Sequence, residues 1–254
     1  MIFKTNKQIL IIVNTFKQGG TFNSALNFSI GYNKLGYQTQ IIYFKKNKVR
    51  KDLKKLTSRH KINLLNYKKI NLIKSPKFIH IIGHDIRASF VKKLKLKFPS
   101  AKLFESNIFG KKNSYDHLLD ASWQLNHWAN ASYSLSGGKK NYGILPLPVN
   151  TDYLLKFKKK FEKNNVSKKN IILKISQKSE GKWCKDIIKV FKEINSVNQK
   201  IELILVTPTK SIVEEVKQLD LNTKKKIKII NRVSNIEKIY KLYFQSKIFL
   251  HITQ

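Results

Sequence analysis

The sequence is poor in residues that cross-link a core or hold a metal. Cys184 is its single cysteine, which excludes an internal disulfide and a multi-cysteine zinc site. No spacing of its histidines, carboxylates and that cysteine reads as a metal site. No apolar run approaches the ~20 residues of a membrane span. The start, Met1 to Val13, has an apolar core of only five residues and no small-residue cleavage pattern, so no secretory signal is expected. The expectation is a cytoplasmic protein that touches membranes only peripherally. Acidic residues number 15 against 51 basic ones, which leaves a net charge of +36. Arginine is scarce: Arg50, Arg59, Arg87 and Arg232 stand beside 47 lysines. Phosphate and base recognition favour the planar arginine fork. The lysines are also scattered, and isoleucine and asparagine are abundant with them. A compositional bias therefore accounts for most of the charge. A specific nucleic-acid binder ranks last among the readings, because its lysines and arginines would be clustered.

What is present is a repeated α/β pattern, with 41% hydrophobic residues to fill its cores. The chain is organised around Gln8 to Phe44. An apolar run at Ile9 to Val13 is followed by a loop carrying Gly19-Gly20, then a helical pattern from Phe22 to Leu35. Ala25, Phe28, Tyr32 and Leu35 share one face of that helix, Gly36 ends it, and Thr39 to Phe44 is apolar again. This is a βαβ unit, and its continuous Ile/Val runs suit a parallel sheet covered on both faces. The glycine pair either lets the backbone approach a ligand at the strand's carboxyl end or serves as a flexible turn.

Further strands are expected at Phe78 to Ile82 and Lys102 to Phe104, with helices over Ile86 to Leu96 and Asp116 to Ala131. The polar, lysine-rich stretch Lys158 to Asn170 is the expected interdomain boundary. Beyond it, strands at Ile171 to Ile175, Ile201 to Val206, Ile227 to Ile230 and Ile248 to Ile252 alternate with helices at Cys184 to Asn195, Ser211 to Leu219 and Ile236 to Phe244. Right-handed crossovers then give a second parallel sheet. The sequence stops just after its last strand, which would leave a sheet flank uncovered, so an incomplete second domain is expected.

Several segments, taken in order, resemble the family 4 glycosyltransferases. Gly19-Gly20, Ser24 to Asn27 and Lys34 to Tyr37 are similar to that family's glycine-rich opening. Ile79 to Gly83 looks like its His-containing strand, Pro148 to Asp152 like the segment ahead of its second domain, and Lys182-Trp183 like its Lys-Gly motif. Ile236 to Ile252 is similar to its last helix–strand pair before the donor motif. The resemblance implies the GT-B fold: two Rossmann-like domains facing across a cleft, here 1–155 on the acceptor side and 156–254 on the nucleotide-sugar side. It implies a transferase that moves a hexose, with retention, from a UDP- or GDP-linked sugar to a glycan or lipid-linked acceptor, without a metal or other cofactor. The E-x7-E donor region would begin beyond Gln254. The family's phosphate-binding arginine is replaced by Gln177, so a binding protein without catalysis is the alternative.

The candidate residues follow from that register. A diphosphate leaving group needs positioned donors for its developing charge. Lys182 sits where the family keeps its motif lysine and is otherwise one solvated lysine of 47. Gln177, Lys178, Gly19 and Gly20 are assigned to donor or substrate binding, with Lys174 or Lys178 as substitutes for the missing arginine. His84, in a Gly-His-Asp turn, and Glu105, read at a strand's carboxyl end, either bind sugar hydroxyls or finish their turns. His117, Trp123, His127 and Trp128 read as helix packing ahead of a sugar platform.

Overall fold

The apolar run at the start forms β1 (Gln8–Val13), in which every residue from Ile9 onward is buried. The computed structural model describes residues 7–14, 20–44, 51–83, 86–176, 178–231, 233 and 235–251. The chain separates into two compact units, Met1–Asn150 and Thr151–Gln254.

In the first unit, β1 is followed by α1 (Gly20–Lys34), β2 (Gln38–Tyr43), α2 (Lys51–Arg59), β3 (Asn63–Asn66) and β4 (Phe78–Ile82). Then come α3 (Ala88–Lys97), β5 (Lys102–Asn107), β6 (Ala121–Gln124), α4 (His127–Leu135) and β7 (Asn141–Ile144). The seven strands form one sheet in the order β3-β2-β1-β4-β5-β6-β7, and every paired register is parallel. The chain winds outward from β1 to one edge, returns, and winds outward from β4 to the other. The point of reversal lies between β1 and β4, where doubly wound sheets leave a crevice. Alternation of side chains divides the core. Ile9, Ile11, Val13 and Ile41 face α1, whose Phe22, Ala25, Leu26 and Phe28 cover them. Leu10, Ile12, Ile79, Ile81 and Leu103 face α3, which contributes Val91 and Leu94.

The second unit starts with α5 (Thr151–Lys163) and continues through β8 (Lys169–Ile175), α6 (Asp186–Val197), β9 (Glu202–Val206) and α7 (Lys210–Lys217). It ends with α8 (Leu221–Lys225), β10 (Ile227–Ile230), α9 (Ile236–Gln245) and β11 (Ser246–Phe249). Its four strands are parallel in the order β10-β9-β8-β11, so the reversal lies between β8 and β11. One face packs against α6 and α7 through Ile172, Leu203, Leu205, Ile187, Phe191 and Ile212. The other carries Ile171, Leu173, Ile204 and Val206, with Leu242 of α9 against them. At the sheet edge, Ile248 and Phe249 of β11 are each 44% exposed.

Four expectations are corrected. Leu35 lies past the end of α1 and is 72% exposed, so it does not share the helix's buried face. Asp116 to Ala131 is not one helix: a single 3-10 turn at Asp116–Leu118 leads into β6 before α4 begins. Its polar residues are buried in the sheet instead, with Ser122 and Gln124 fully covered. The strand expected to end at Phe104 runs on to Asn107. Lys158 to Asn170 is the second half of α5 and the start of β8, and the units divide ahead of it.

Candidate functional site

Each unit offers the carboxyl edge of its sheet, where strand ends and helix starts meet. In the first unit, Gly20 is the first residue of α1, and a Cβ placed there would meet nothing within 4 Å. The space over it is open. Gly83, just past β4, has φ +101°, and a Cβ there would come within 2.8 Å of the Thr21 side chain. The end of β4 and the start of α1 are therefore in tight contact at the reversal point, which glycine alone permits without strain. A pocket lined by Phe44, Tyr67 and Phe90 opens at the same edge. No sequence signal marked it, because its residues come from separate elements. Gly19 and His84 lie outside the described residues.

Glu105 is not at the strand end. It lies inside β5 at 0% exposure. One carboxylate oxygen accepts from the Asn113 side chain and, at 2.8 Å, from the Tyr115 hydroxyl, while Ser122 donates to the other at 3.4 Å. Burial pushes its pKa up to about 7 against the pull of these hydrogen bonds. Its role here is to pin the loop that follows β5. Asp116 extends the same work: its carboxylate accepts from the Tyr133 hydroxyl of α4 and from the Lys139 backbone at 3.3 Å. His80, one strand away, is also fully buried, and its ring joins Tyr32 Oη at 3.1 Å and Ser106 Oγ at 2.9 Å. Burial lowers its pKa to about 3, so it is neutral at physiological pH. The helix packing expected of His117, Trp123, His127 and Trp128 is not found: Trp123 lies in β6 and packs edge-on to Phe104 at 5.0 Å, whereas His117, His127 and Trp128 are exposed.

In the second unit the loop after β8 stands at the reversal point of the sheet. A 3-10 turn at Glu180–Lys182 closes it, with the Lys182 N–H donating to Ser179 O at 2.9 Å. Lys178 and Lys182 are exposed, and Gln177 lies outside the described residues. The turn is anchored on both sides. Trp183 is buried in the α6/α7 cluster. Glu180 accepts a 2.6 Å hydrogen bond from Ser211 Oγ in the first turn of α7. Beneath the loop, Lys174 of β8 is 1% exposed, and its Nζ lies 5.7 Å from the centre of the Trp183 ring. Burial lowers its pKa; the neighbouring Cys184 opposes this and Lys182 adds to it. The loop thus presents two exposed lysines on a turn anchored by Trp183 and Glu180, with Lys174 below. That arrangement suits an anionic ligand approaching the carboxyl ends of the strands. Among the described residues no group of three or more His, Cys, Asp or Glu is placed to hold a metal ion.

No protein-family model and no curated protein matches the sequence. Solved structures do match the fold. A TarM mutant of S. aureus, in complex with UDP and α-GlcNAc-glycerol among its ligands, is 10% identical with a TM-score of 0.70, covering 98% of this chain and 81% of its own. Anabaena HepE, solved in complex with UDP, is 11% identical with a TM-score of 0.67, over 97% of this chain and 74% of its own. A glycosyltransferase from Rickettsia africae is 17% identical with a TM-score of 0.66, over 98% of this chain and 73% of its own. These neighbours are GT-B glycosyltransferases. The chain has the α/β GT-B type of fold, with a seven-stranded and a four-stranded parallel sheet.

Proposed function

We propose that the protein is a glycosyltransferase that takes a hexose from a UDP- or GDP-linked donor and passes it, with retention, to a glycan or lipid-linked acceptor. Residues 151–254 supply the nucleotide-sugar side and residues 1–150 the acceptor side. The observation that carries this reading is the loop after β8: Lys182 is exposed on a turn held by Trp183 and Glu180 at the sheet's reversal point. As the sugar leaves, negative charge grows on the diphosphate. A pre-positioned ammonium stabilises that charge without reorganising. Lys178 on the same loop, and Lys174 below it, add positive potential where the family's arginine is replaced by Gln177.

The test is release of free nucleoside diphosphate from UDP- or GDP-hexose, with the anomeric configuration of the product read by NMR. Lys182→Met should lower turnover by 10²- to 10³-fold, the scale of roughly 3–4 kcal/mol for losing one preorganised donor. A loss below about threefold, under ~0.7 kcal/mol, would mark Lys182 as an ordinary surface lysine. Gln177 favours a second reading, a protein that binds the nucleotide sugar without breaking it. Saturable UDP binding with no nucleoside diphosphate released from any donor would select it.

A further inference from the structure

The pocket at the carboxyl edge of the first unit's sheet is not used by the donor chemistry above. It has a volume of about 390 Å³, within the ~300–1,000 Å³ of small-ligand sites. Four consecutive strands deliver it. Asn14 follows β1, Phe44 follows β2, Tyr67 follows β3, and Arg87 lies beyond the end of β4 as the residue before α3. Phe90 and Lys93 come from α3 itself. The location is the reversal point of a doubly wound sheet, where such sheets bind ligands.

Its lining combines two chemistries. Part of it is aromatic. Phe44 and Tyr67 are stacked with centroids 5.2 Å apart, and Phe90 stands edge-on to Phe44 at 4.6 Å. All three rings are half-buried, so each packs on its neighbours and still shows a surface to the pocket. Part of it is cationic. Arg87 is one of only four arginines in a chain of 51 basic residues. No hydrogen bond or ion pair among the described residues engages its guanidinium or the Lys93 ammonium. Arg87 caps α3 through its backbone carbonyl, which accepts from the Phe90 and Val91 N–H groups at 3.0 and 3.2 Å, while its exposed side chain makes no capping bond. A planar fork free to take two acceptor oxygens, with the Lys93 ammonium lining the same pocket, fits a phosphate or carboxylate.

We propose that this pocket binds an anionic small molecule, with its phosphate or carboxylate on Arg87 and Lys93 and its ring against Phe44, Tyr67 and Phe90. Identifying that molecule as the sugar acceptor rests on the transferase reading above; the anion preference itself does not. In consequence the acceptor is an acidic one, a sugar phosphate or a uronic acid in place of a neutral sugar.

Calorimetric titration of the intact chain with glucose 6-phosphate, glucuronate and glucose at 150 mM salt tests this. At least one of the two anions should bind saturably and at least tenfold tighter than glucose, and the tighter of the two identifies phosphate or carboxylate. Arg87→Lys keeps the net charge and removes only the fork, so it separates recognition from the attraction of a +36 surface. It should weaken the favoured anion at least fivefold and leave UDP binding unchanged. Equal binding of glucose and both anions, or an Arg87→Lys chain within twofold of the original, would overturn the proposal. Separate titration with UDP reads the donor side alone. Loss of UDP binding with anion binding intact would sink the transferase reading and leave the pocket standing, and the converse would sink the pocket only.

Discussion

Two fully buried titratable side chains sit on neighbouring strands of the first unit and answer to pH in opposite directions. Glu105 is raised by burial to about 7, so folding favours its protonated form. The stability this gives is full below the unfolded value of 4.5 and is lost as pH rises through 7. His80 is lowered by burial to about 3, so folding favours the neutral ring. Its contribution is full above the unfolded value of 6.5 and is lost as pH falls toward 3. Between pH 4.5 and 6.5 the two slopes oppose each other. Glu105→Gln removes one of them. The variant should gain on the original by about 3 kcal/mol between pH 4.5 and 7, at roughly 1.4 kcal/mol per unit. Urea unfolding at a series of pH values reads this difference, and parallel profiles for the two proteins would contradict it. Neither role could be read from the sequence. His80 in an Ile-rich strand was visible as part of a motif, but Glu105 was placed at a strand end because β5 was expected to stop before it. The polar run Glu105-Ser106-Asn107 hid three buried strand residues.

At the scale of elements, α5 shows how charge obscures packing. Its lysines made it read as a boundary. Yet Phe157 and Phe161 stand one turn apart and pack on α9, with ring centroids 5.2 Å from Tyr240 and 5.5 Å from Phe244 respectively. Lys160 of α5 adds a 2.6 Å ion pair to Glu237 of α9, on the exposed side of the contact. An exposed pair contributes little, so the rings dominate. Phe161→Ala should cost about 3–5 kcal/mol of the second unit's stability, whereas Lys160→Ala should cost under ~1 kcal/mol. Thermal unfolding of both variants gives the comparison. Strands and helices with a clean apolar period, such as β1, β4, β8 and α6, were legible within a few residues. The segment from Asp116 to Ala131 was not. Its short strand is buried through Ser122 and Gln124, and a polar strand carries no apolar alternation.

At the scale of the whole molecule, two doubly wound parallel sheets were visible because parallel strands are covered on both faces and read as unbroken Ile/Val/Leu runs. The candidate sites at their carboxyl edges were only half visible. The lysine loop follows one strand and keeps a motif-like order. The aromatic pocket gathers side chains from the ends of four strands and one helix, and nothing in linear order joins them. The charge of +36 acts on the molecule as a whole, and among the described residues no helix is long and apolar enough to cross a membrane. Lysines near an anionic leaflet contribute on the order of 1 kcal/mol each. The protein should therefore sediment with anionic vesicles at low salt and release at high salt. Binding to neutral vesicles that salt leaves unchanged would contradict a purely electrostatic attachment.

The burial of Trp183 also has an optical side. The chain has three indoles: Trp128 is 68% exposed, Trp123 is half-buried, and Trp183 alone belongs to the second unit, at 1% exposure. Iodide in solution reaches the first readily and the last hardly at all. The quencher-resistant, blue-shifted part of the emission is therefore weighted toward one ring, and that ring is the floor of the lysine loop. With an ammonium 5.7 Å from its centre, its excited state also senses local charge. A nucleotide settling on Ser176 to Lys182 would bring phosphate charge close to that ring. If the proposed donor site is right, Trp183 emission should change on adding UDP, with no label needed.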